Sequence, residues 1–429
     1  MKRIDVVVVG AGSRGDCYSN FALNKPEKMR IVGLVDPSPV RMNYTKKKYN
    51  VPEENCFFEL DEFLKRDKFS DGVINATMDH LHVKTAIPIL EKGYDLLLEK
   101  PFCTNEEELW ALQEAAQRTG RKVMICHVLR YTPFYSSIKR CVLSGQIGDI
   151  TSIELAEHVS YHHFGVSYVR GKWANEHICG SPLLLAKSCH DIDLMMWLKG
   201  GTKPVAVSSF GSDYQFRPDR KPEGAGHNCM IDCPKAIEEK CMFSARKNYL
   251  EPEMHWQDYV CRELEGGEIS YESCKKSLQN PDNNFGRCVW ECEHDLVDHQ
   301  SVIVNFEDGV TGSFSLVGAT PKAERKIHIT GTLGEIKGVF EDRTFVVRKA
   351  APNNTFEEVL YDTGAHGETD GQYGGHGGGD LRLVEDFVDS LNGITPSISY
   401  TSLEDSIYSH LTVFRAEKAR KNGIVEQVF

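Results

Sequence analysis

I-D-V-V-V-V-G-A-G-S-R-G, residues Ile4 to Gly15, is the stretch whose reading decides the fold. Val6 to Val9 read as a short strand buried on both faces. Gly10, Gly12 and Gly15 follow in the spacing G-x-G-x-x-G, with Ser13 and Arg14 inside it. Beyond Gly15 the pattern turns helical, with Tyr18, Phe21, Ala22 and Leu23 on one apolar side. A strand, a glycine turn and a helix start make a cradle for pyrophosphate. The first glycine permits the turn, the second lets backbone N–H groups approach the anion, and the third lets helix and strand pack closely. The helix start adds unpaired donors and the positive end of its dipole.

The next apolar run, Ile31 to Val35, ends in Asp36. An acidic residue about 20 positions beyond the glycines suits a grip on ribose hydroxyls and would repel a 2′-phosphate. The expected cofactor is therefore NAD, with NADP disfavoured, although Arg41 nearby softens that preference. Further strands are expected at Gly72–Ala76, Asp95–Leu98 and Val123–Cys126. Helices are expected at Leu60–Leu64, His82–Leu90 and Glu106–Gly120. This alternation predicts a doubly wound parallel sheet with its ligand at the carboxyl ends of the strands. Gly10, Gly12, Ser13, Arg14, Gly15, Asp36, Thr77, His82, Glu99 and Lys100 are the residues expected to line the cofactor.

From about residue 130 the texture changes. A helix is expected over Tyr131–Leu143, and a strand over Ser152–Val159. Five more strands are expected at Gln300–Phe306, Thr311–Leu316, Lys326–Thr330, Gly334–Phe340 and Thr344–Arg348. Their punctuation at Asp308-Gly309 and Thr332-Leu333-Gly334 is that of hairpins. The expected fold class is α/β: an N-terminal Rossmann domain over 1–128, then an α+β domain over 129–429 with a large, open, mostly antiparallel sheet. Within the latter, a Cys-rich insertion covers about 211–299. Apolar helices are expected at Leu183–Leu198, Leu381–Leu391 and Leu403–Ala419.

Composition narrows the partners. The chain has 429 residues, 41% hydrophobic and 26% charged, which suits a globular protein with a large core. With 50 basic and 62 acidic residues the net charge is −12, so no basic face is expected for nucleic acid. No apolar run reaches membrane-spanning length. Met1-Lys2-Arg3 runs directly into the nucleotide strand, which leaves no room for a signal peptide, and the expected compartment is the cytoplasm. Fourteen cysteines there point to buried thiols or metal ligands rather than disulfides.

Several motifs now fall in order: the glycine turn with Asp36, N-A-T-M-D-H-L-H at 75–82, E-K-P at 99–101, R-Y at 130–131, S-G-Q-I-G-D-I at 144–150, and S-Y-T-S-L-E-D-S-I-Y at 399–408. Together they resemble the glucose–fructose oxidoreductase / inositol dehydrogenase (Gfo/Idh/MocA) family over most of the chain, outside roughly 211–299. The resemblance implies a nicotinamide held between two domains, a small-molecule sugar or cyclitol substrate, and a homo-oligomer, dimer or tetramer, formed through the sheet. It matches Lys100 to the lysine of the family's E-K-P motif and His190 to its acid/base histidine. The family's aspartate, four residues before that histidine, is here Ala186. Lys187, Asp191 and Asp193 flank the gap. At helical spacing Lys187 can share a face with His190 and Asp191, and Asp193 can orient the His190 ring. The expected catalytic residues are Lys100, His190, Asp191 and Lys187.

A polar and aromatic set is expected to meet the substrate: His127, Tyr131, His162, His163, Arg170 and Trp173, with His376 from the stretch G-G-H-G-G-G-D at 374–380. For the metal reading, Cys229, Cys233, Cys241 and Cys292 are the candidates, as ligands of a structural zinc or an iron–sulfur cluster in an insertion expected to lack a core of its own. The leading functional reading is an NAD-dependent oxidoreductase acting on a secondary hydroxyl. One alternative is a redox-assisted glycoside hydrolase: oxidation at C3, loss of the aglycone, addition of water, re-reduction. The other is a non-catalytic NAD-binding sensor, which the missing aspartate permits.

Overall fold

A computed structural model describes residues 1–251, 256, 259–261, 270–364 and 376–429. Six strands form the first sheet: β1 (Ile4–Val9), β2 (Met29–Val35), β3 (Cys56–Phe57), β4 (Gly72–Asn75), β5 (Asp95–Leu98) and β6 (Val123–Ile125). All pair in parallel, in the order β3-β2-β1-β4-β5-β6, so the chain order reverses between β1 and β4. The valines of β1 are almost wholly buried, as a central strand covered on both faces requires. The crevice at the reversal point is where a doubly wound sheet takes its ligand.

Nine strands form the second sheet: β7 (Ile150–Ser160), β8 (Pro204–Ser212), β9 (His299–Phe306), β10 (Thr311–Thr320), β11 (Glu324–Gly331), β12 (Gly334–Val339), β13 (Thr344–Ala351), β14 (Thr355–Asp362) and β15 (Glu426–Gln427). Their order is β14-β13-β12-β11-β7-β10-β9-β8-β15, and β10 with β7 is a parallel pair among antiparallel ones. Strand β9 alternates exposed and buried residues without a break, the signature of a sheet with one covered face and one open face. Val302, Val304 and Phe306 point inward, while Ile303 is exposed, as is Phe210 on β8. Sequence patterning missed β8, β14 and β15. The charged, exposed β14 reads T-F-E-E-V-L-Y-D and buries none of its residues, so it carries no inward alternation to detect.

The helix Leu183–Lys199 is buried nearly all round between this sheet and the helix Leu403–Asn422. It nonetheless carries Lys187, Ser188, His190, Asp191 and Asp193, all of whose charges and donors must be met inside the protein. The helix Gly379–Leu391, late in the chain, packs back into the first domain: Leu383, Val384, Phe387 and Val388 share a core with Ile4, Val6 and Val8. The region between β8 and β9 is not coreless, contrary to expectation. Ala245, Tyr249, Leu250, Cys274 and Leu278 form a small apolar cluster there, joined by Val166 from the segment after β7. Among the described residues no helix is long and apolar enough to cross a membrane.

One buried ion pair ties the domains' junction to the central helix. Arg130, 2% exposed, donates Nε and Nη2 to the two oxygens of Asp193 at 2.7 and 2.5 Å. Removing one partner of such a pair strands a charge in the interior. Asp193→Ala is expected to cost about 3–5 kcal/mol of stability, read as a lowered denaturant midpoint. The volume-matched double replacement Arg130→Met, Asp193→Leu is expected to recover most of that loss.

Candidate functional site

The glycine turn is built as its spacing requires. Gly10 has φ +90°, and a side chain there would meet the Ala76 carbonyl oxygen at 2.5 Å. At Gly15 a side chain would stand 2.1 Å from the Gly10 carbonyl oxygen. Gly12 is different: a Cβ there meets nothing within 4 Å, so the turn opens onto free space at the start of the helix Ser13–Ser19. Asp36, at the end of β2, accepts the Ala11 N–H at 2.8 Å and the Ser38 N–H at 2.8 Å. Arg41 Nε lies 3.1 Å from the same carboxylate. The acid is thereby fixed beside the glycine turn. Backbone donors, open space and an oriented carboxylate fit a dinucleotide.

Arg14 does more than line this turn. Its guanidinium donates to Glu99 at 3.0 Å, to the Tyr18 hydroxyl at 2.6 Å and to Asp380 at 2.6 Å. Burial would raise the Asp380 carboxyl, but Arg14 and His376 beside it hold it well below the usual carboxylate range. Asp380 in turn contacts His376 Nδ1 at 3.2 Å. The chain from turn to Glu99 and from turn to His376 thus runs through one arginine. Of the glycine-rich stretch at 374–380, positions 374 and 375 lie outside the described residues.

His82 is not positioned as a cofactor contact. It is wholly buried, and its two ring nitrogens contact the Pro101 carbonyl at 2.7 Å and the Thr77 carbonyl at 3.1 Å. It clamps the two loops that carry Thr77 and Lys100. Thr77 itself hydrogen-bonds Asn75 Oδ1 at 2.9 Å at the mouth of β4.

Lys100 and the helix Leu183–Lys199 meet directly. Lys100 Nζ donates to the Ala186 carbonyl oxygen at 2.8 Å, one helical turn before His190. The backbone of Ala186 therefore receives the lysine at the position where the family carries a carboxylate. The ring of His190 lies 5.7 Å from that of His127 and 6.1 Å from that of His376, centre to centre. Its Nδ1 is buried without a hydrogen-bond partner. Burial, reinforced by Lys100 and His127, pushes His190 well below its ordinary value, so the ring is neutral near pH 7 and able to accept a proton.

Lys187 and Asp191 turn the other way, into the sheet. Lys187 Nζ lies 3.0 Å from Glu157 on β7. Arg325 on β11 lies 2.5 Å from Glu157 and 3.3 Å from Asp191. Burial raises the Asp191 carboxyl, Arg325 opposes, and Glu157 raises it further, so that it titrates above the usual range. Glu157 and Arg325 are members of this group that sequence reading missed. Their alternating positions on β7 and β11 are the signal that could have marked them, since a charge on the inward face of a covered strand needs a reason.

The aromatic set divides. His163 is half-buried beside Trp256 and Tyr168, and desolvation, with Lys187 next in effect, pushes it well below its ordinary value. His162 Nδ1 accepts from Trp256 Nε1 at 3.2 Å. Trp173 Nε1 donates to Asp79 at 3.2 Å, linking this loop to the end of β4. His127 is fully buried, 3.6 Å from Asp193.

Two expected substrate contacts are corrected. Tyr131, 4% exposed, donates its hydroxyl to Asp386 at 3.0 Å and is a packing residue between the first domain and the helix Gly379–Leu391. Arg170 donates to the Arg287 and Phe243 carbonyls at 2.8 and 2.9 Å and to the Tyr249 hydroxyl at 3.3 Å, inside the Cys-rich region. A long polar side chain on a short loop looks the same in sequence whether it faces a cleft or crosses an interior. For the metal reading, Cys292 does not face the other three cysteines' cavity; its thiol donates to the Cys288 carbonyl at 3.5 Å. Among the described residues no three His, Cys, Asp or Glu side chains converge on a single point as ligands of one ion do. No disulfide joins any of the fourteen cysteines.

Residues 4–127 match the family described as "Oxidoreductase family, NAD-binding Rossmann fold", and residues 139–425 match its "C-terminal alpha/beta domain". YteT of Bacillus subtilis (strain 168) is 30% identical over 397 residues, 89% of this chain and 88% of YteT. An inositol 2-dehydrogenase of Corynebacterium glutamicum (strain R) is 24% identical over 207 residues, 48% of this chain and 57% of that protein. Among solved structures, a levoglucosan dehydrogenase in complex with NADH and levoglucosan superposes with a TM-score of 0.69 at 18% identity, over 99% of each chain.

Tyr131→Phe is expected to lower stability by about 1 kcal/mol and leave KM for any substrate unchanged. His127, His163, His190, His376 and His410 are all pushed below their ordinary values, burial being the first cause for each. The unfolded chain therefore binds protons that the folded chain refuses. Stability is expected to fall as pH drops through about 6.5, measured as denaturant midpoints on either side of that value.

Proposed function

Because this chain belongs to the Gfo/Idh/MocA family of NAD-binding oxidoreductases, we propose that it oxidises a secondary hydroxyl of a sugar, sugar derivative or cyclitol, with NAD preferred over NADP. The observation that carries this reading is the meeting of Lys100 with the His190 helix: a lysine ammonium donates to that helix one turn before a neutral, buried imidazole. The relatives named as inositol and levoglucosan dehydrogenases support the substrate class. Asp36, held at the end of β2 by the Ala11 and Ser38 N–H groups as an acceptor for ribose hydroxyls, supports NAD.

When bound, NAD supplies the acceptor for a hydride from the hydroxyl-bearing carbon. The chain's residues supply the proton chemistry. Lys100 Nζ exchanges its Ala186 carbonyl partner for the substrate hydroxyl and stabilises the oxygen as it loses its proton. His190, neutral through burial, takes that proton. Lys187, Asp191, Glu157 and Arg325 act behind it as positioning residues, holding the helix against β7 and β11. His163 near Lys187, Trp173 on Asp79 and His376 beside His190 are the groups offered to the ring hydroxyls and apolar face of a sugar. The open face of the second sheet, with Phe210 and Ile303 exposed, supports assembly into a homo-oligomer.

The redox-assisted glycosidase is retained as a second reading on one observation. His376, 6.1 Å from His190 and also neutral through burial, would be a second proton acceptor beside the first. Incubating the protein with NAD and a panel of sugars, cyclitols and aryl glycosides separates the two. Accumulating NADH supports net oxidation; aglycone release without it supports the glycosidase; neither, with NAD bound, supports a sensor. Lys100→Met and His190→Ala are each expected to lower turnover by about 10²–10⁴-fold with NAD affinity retained. The acid limb of kcat/KM is expected to lie below about pH 6.5, because burial lowers His190. A limb above that value would remove His190 as the base.

A further inference from the structure

Four cysteines that the cleft does not use stand on the wall of one cavity. Two of them, Cys229 and Cys288, flank an antiparallel bridge between Asn228 and Arg287, one on each strand and diagonal to the other. The Cys229 N–H donates to the Gly286 carbonyl at 2.9 Å, and the Cys288 N–H donates to the His227 carbonyl at 2.8 Å. A tight turn then brings Cys233 back, its N–H donating to the Asn228 carbonyl at 3.2 Å. The short helix Lys235–Glu238 leads to Cys241, whose N–H donates to the Ile237 carbonyl at 3.1 Å. Cys229, Cys233, Cys241 and Cys288 all line a cavity of about 430 Å³.

Arg170 forms part of the same wall. It is 3% exposed, and besides its two carbonyl partners and Tyr249 it donates to Cys229 Sγ at 3.5 Å. All of these partners are formally neutral as free thiol, phenol and amide. A buried guanidinium calls for negative charge nearby, and thiolates at the cavity wall would provide it.

A single zinc ion does not fit this arrangement. Zinc binds sulfur at about 2.3 Å and gathers its thiolates on one point, whereas no three such side chains among the described residues converge in that way. A cavity of about 430 Å³ whose wall includes four cysteines suits a polynuclear body that fills space and reaches each sulfur separately. We propose that Cys229, Cys233, Cys241 and Cys288 hold a four-iron, four-sulfide cluster. The site lies in the region between β8 and β9 and does not depend on the proposed substrate or reaction. The cluster would cross-link four points of a segment whose own apolar core is small.

The test uses the full chain, purified without oxygen. Iron and acid-labile sulfide are expected in equal amounts, about four of each per chain, with broad sulfur-to-iron absorption in the visible and a paramagnetic signal after reduction by dithionite. Cys229→Ala and Cys288→Ala are expected to lose iron, while Cys56→Ala in the first domain and Cys292→Ala retain it. NAD binding and circular dichroism of each variant report whether the rest of the chain is folded. Zinc in place of iron overturns the proposal. So does a protein with neither metal that takes up no iron when incubated with ferrous iron and sulfide under reducing conditions. Full iron retention in Cys288→Ala overturns the ligand set.

Discussion

The structure depends on a polar helix that must be satisfied in a dry interior. The segment Leu183–Lys199 lies under the second sheet and against the first domain, and four of its polar positions are spoken for from four directions. Asp193 is held by Arg130, Lys187 by Glu157, and Asp191 by Arg325. The Ala186 carbonyl receives Lys100. Each partner comes from a different element, so satisfying the helix fixes the relative placement of β7, β11, the E-K-P turn and the segment after β6. His190 is the member whose Nδ1 is left without a partner. Ser188 Oγ and Asp191 Oδ2 share that condition, but His190 is the one imidazole among them, and burial keeps it neutral.

The loss of the family's aspartate takes on a physical meaning in this setting. A carboxylate at position 186 would present a charge toward Lys100. Here the lysine meets a neutral carbonyl, a weaker partner that a substrate hydroxyl can displace without breaking an ion pair. The helix still carries a carboxyl at Asp191, beside Arg325 and not Lys100, where burial raises it above the usual carboxylate range.

Much of this was legible in sequence where a residue's type constrains its backbone. Gly10 and Gly15 could be read because a side chain would collide with a carbonyl, and the parallel sheet because β1 is apolar without alternation. Lys100 and His190 were legible only through the company of other motifs. The sequence was opaque wherever direction mattered. Tyr131 and Arg170 have the right chemistry for a substrate, but Tyr131 is packed against the helix Gly379–Leu391 and Arg170 is engaged in the Cys-rich region. Lys187 and Asp191 share a helical face, yet that face meets the sheet. Glu157 and Arg325 went unnoticed because a strand pattern records which side a residue faces, not what waits there. The expectation of a coreless insertion failed because its apolar residues are spread thinly over a long, polar stretch and meet only in three dimensions.

The return of the helix Gly379–Leu391 into the first domain changes what counts as a unit. Its apolar side completes the core behind β1, and Asp380 at its start binds the arginine of the glycine turn. The nucleotide half is therefore a discontinuous body, assembled from the beginning and the end of the chain. A fragment cut after β6 would carry the glycine motif intact and yet lack one wall of its own interior. In this protein the Rossmann motif is portable as a string of letters but not as a piece of matter, and exchanging cofactor halves between relatives would have to carry two segments across together.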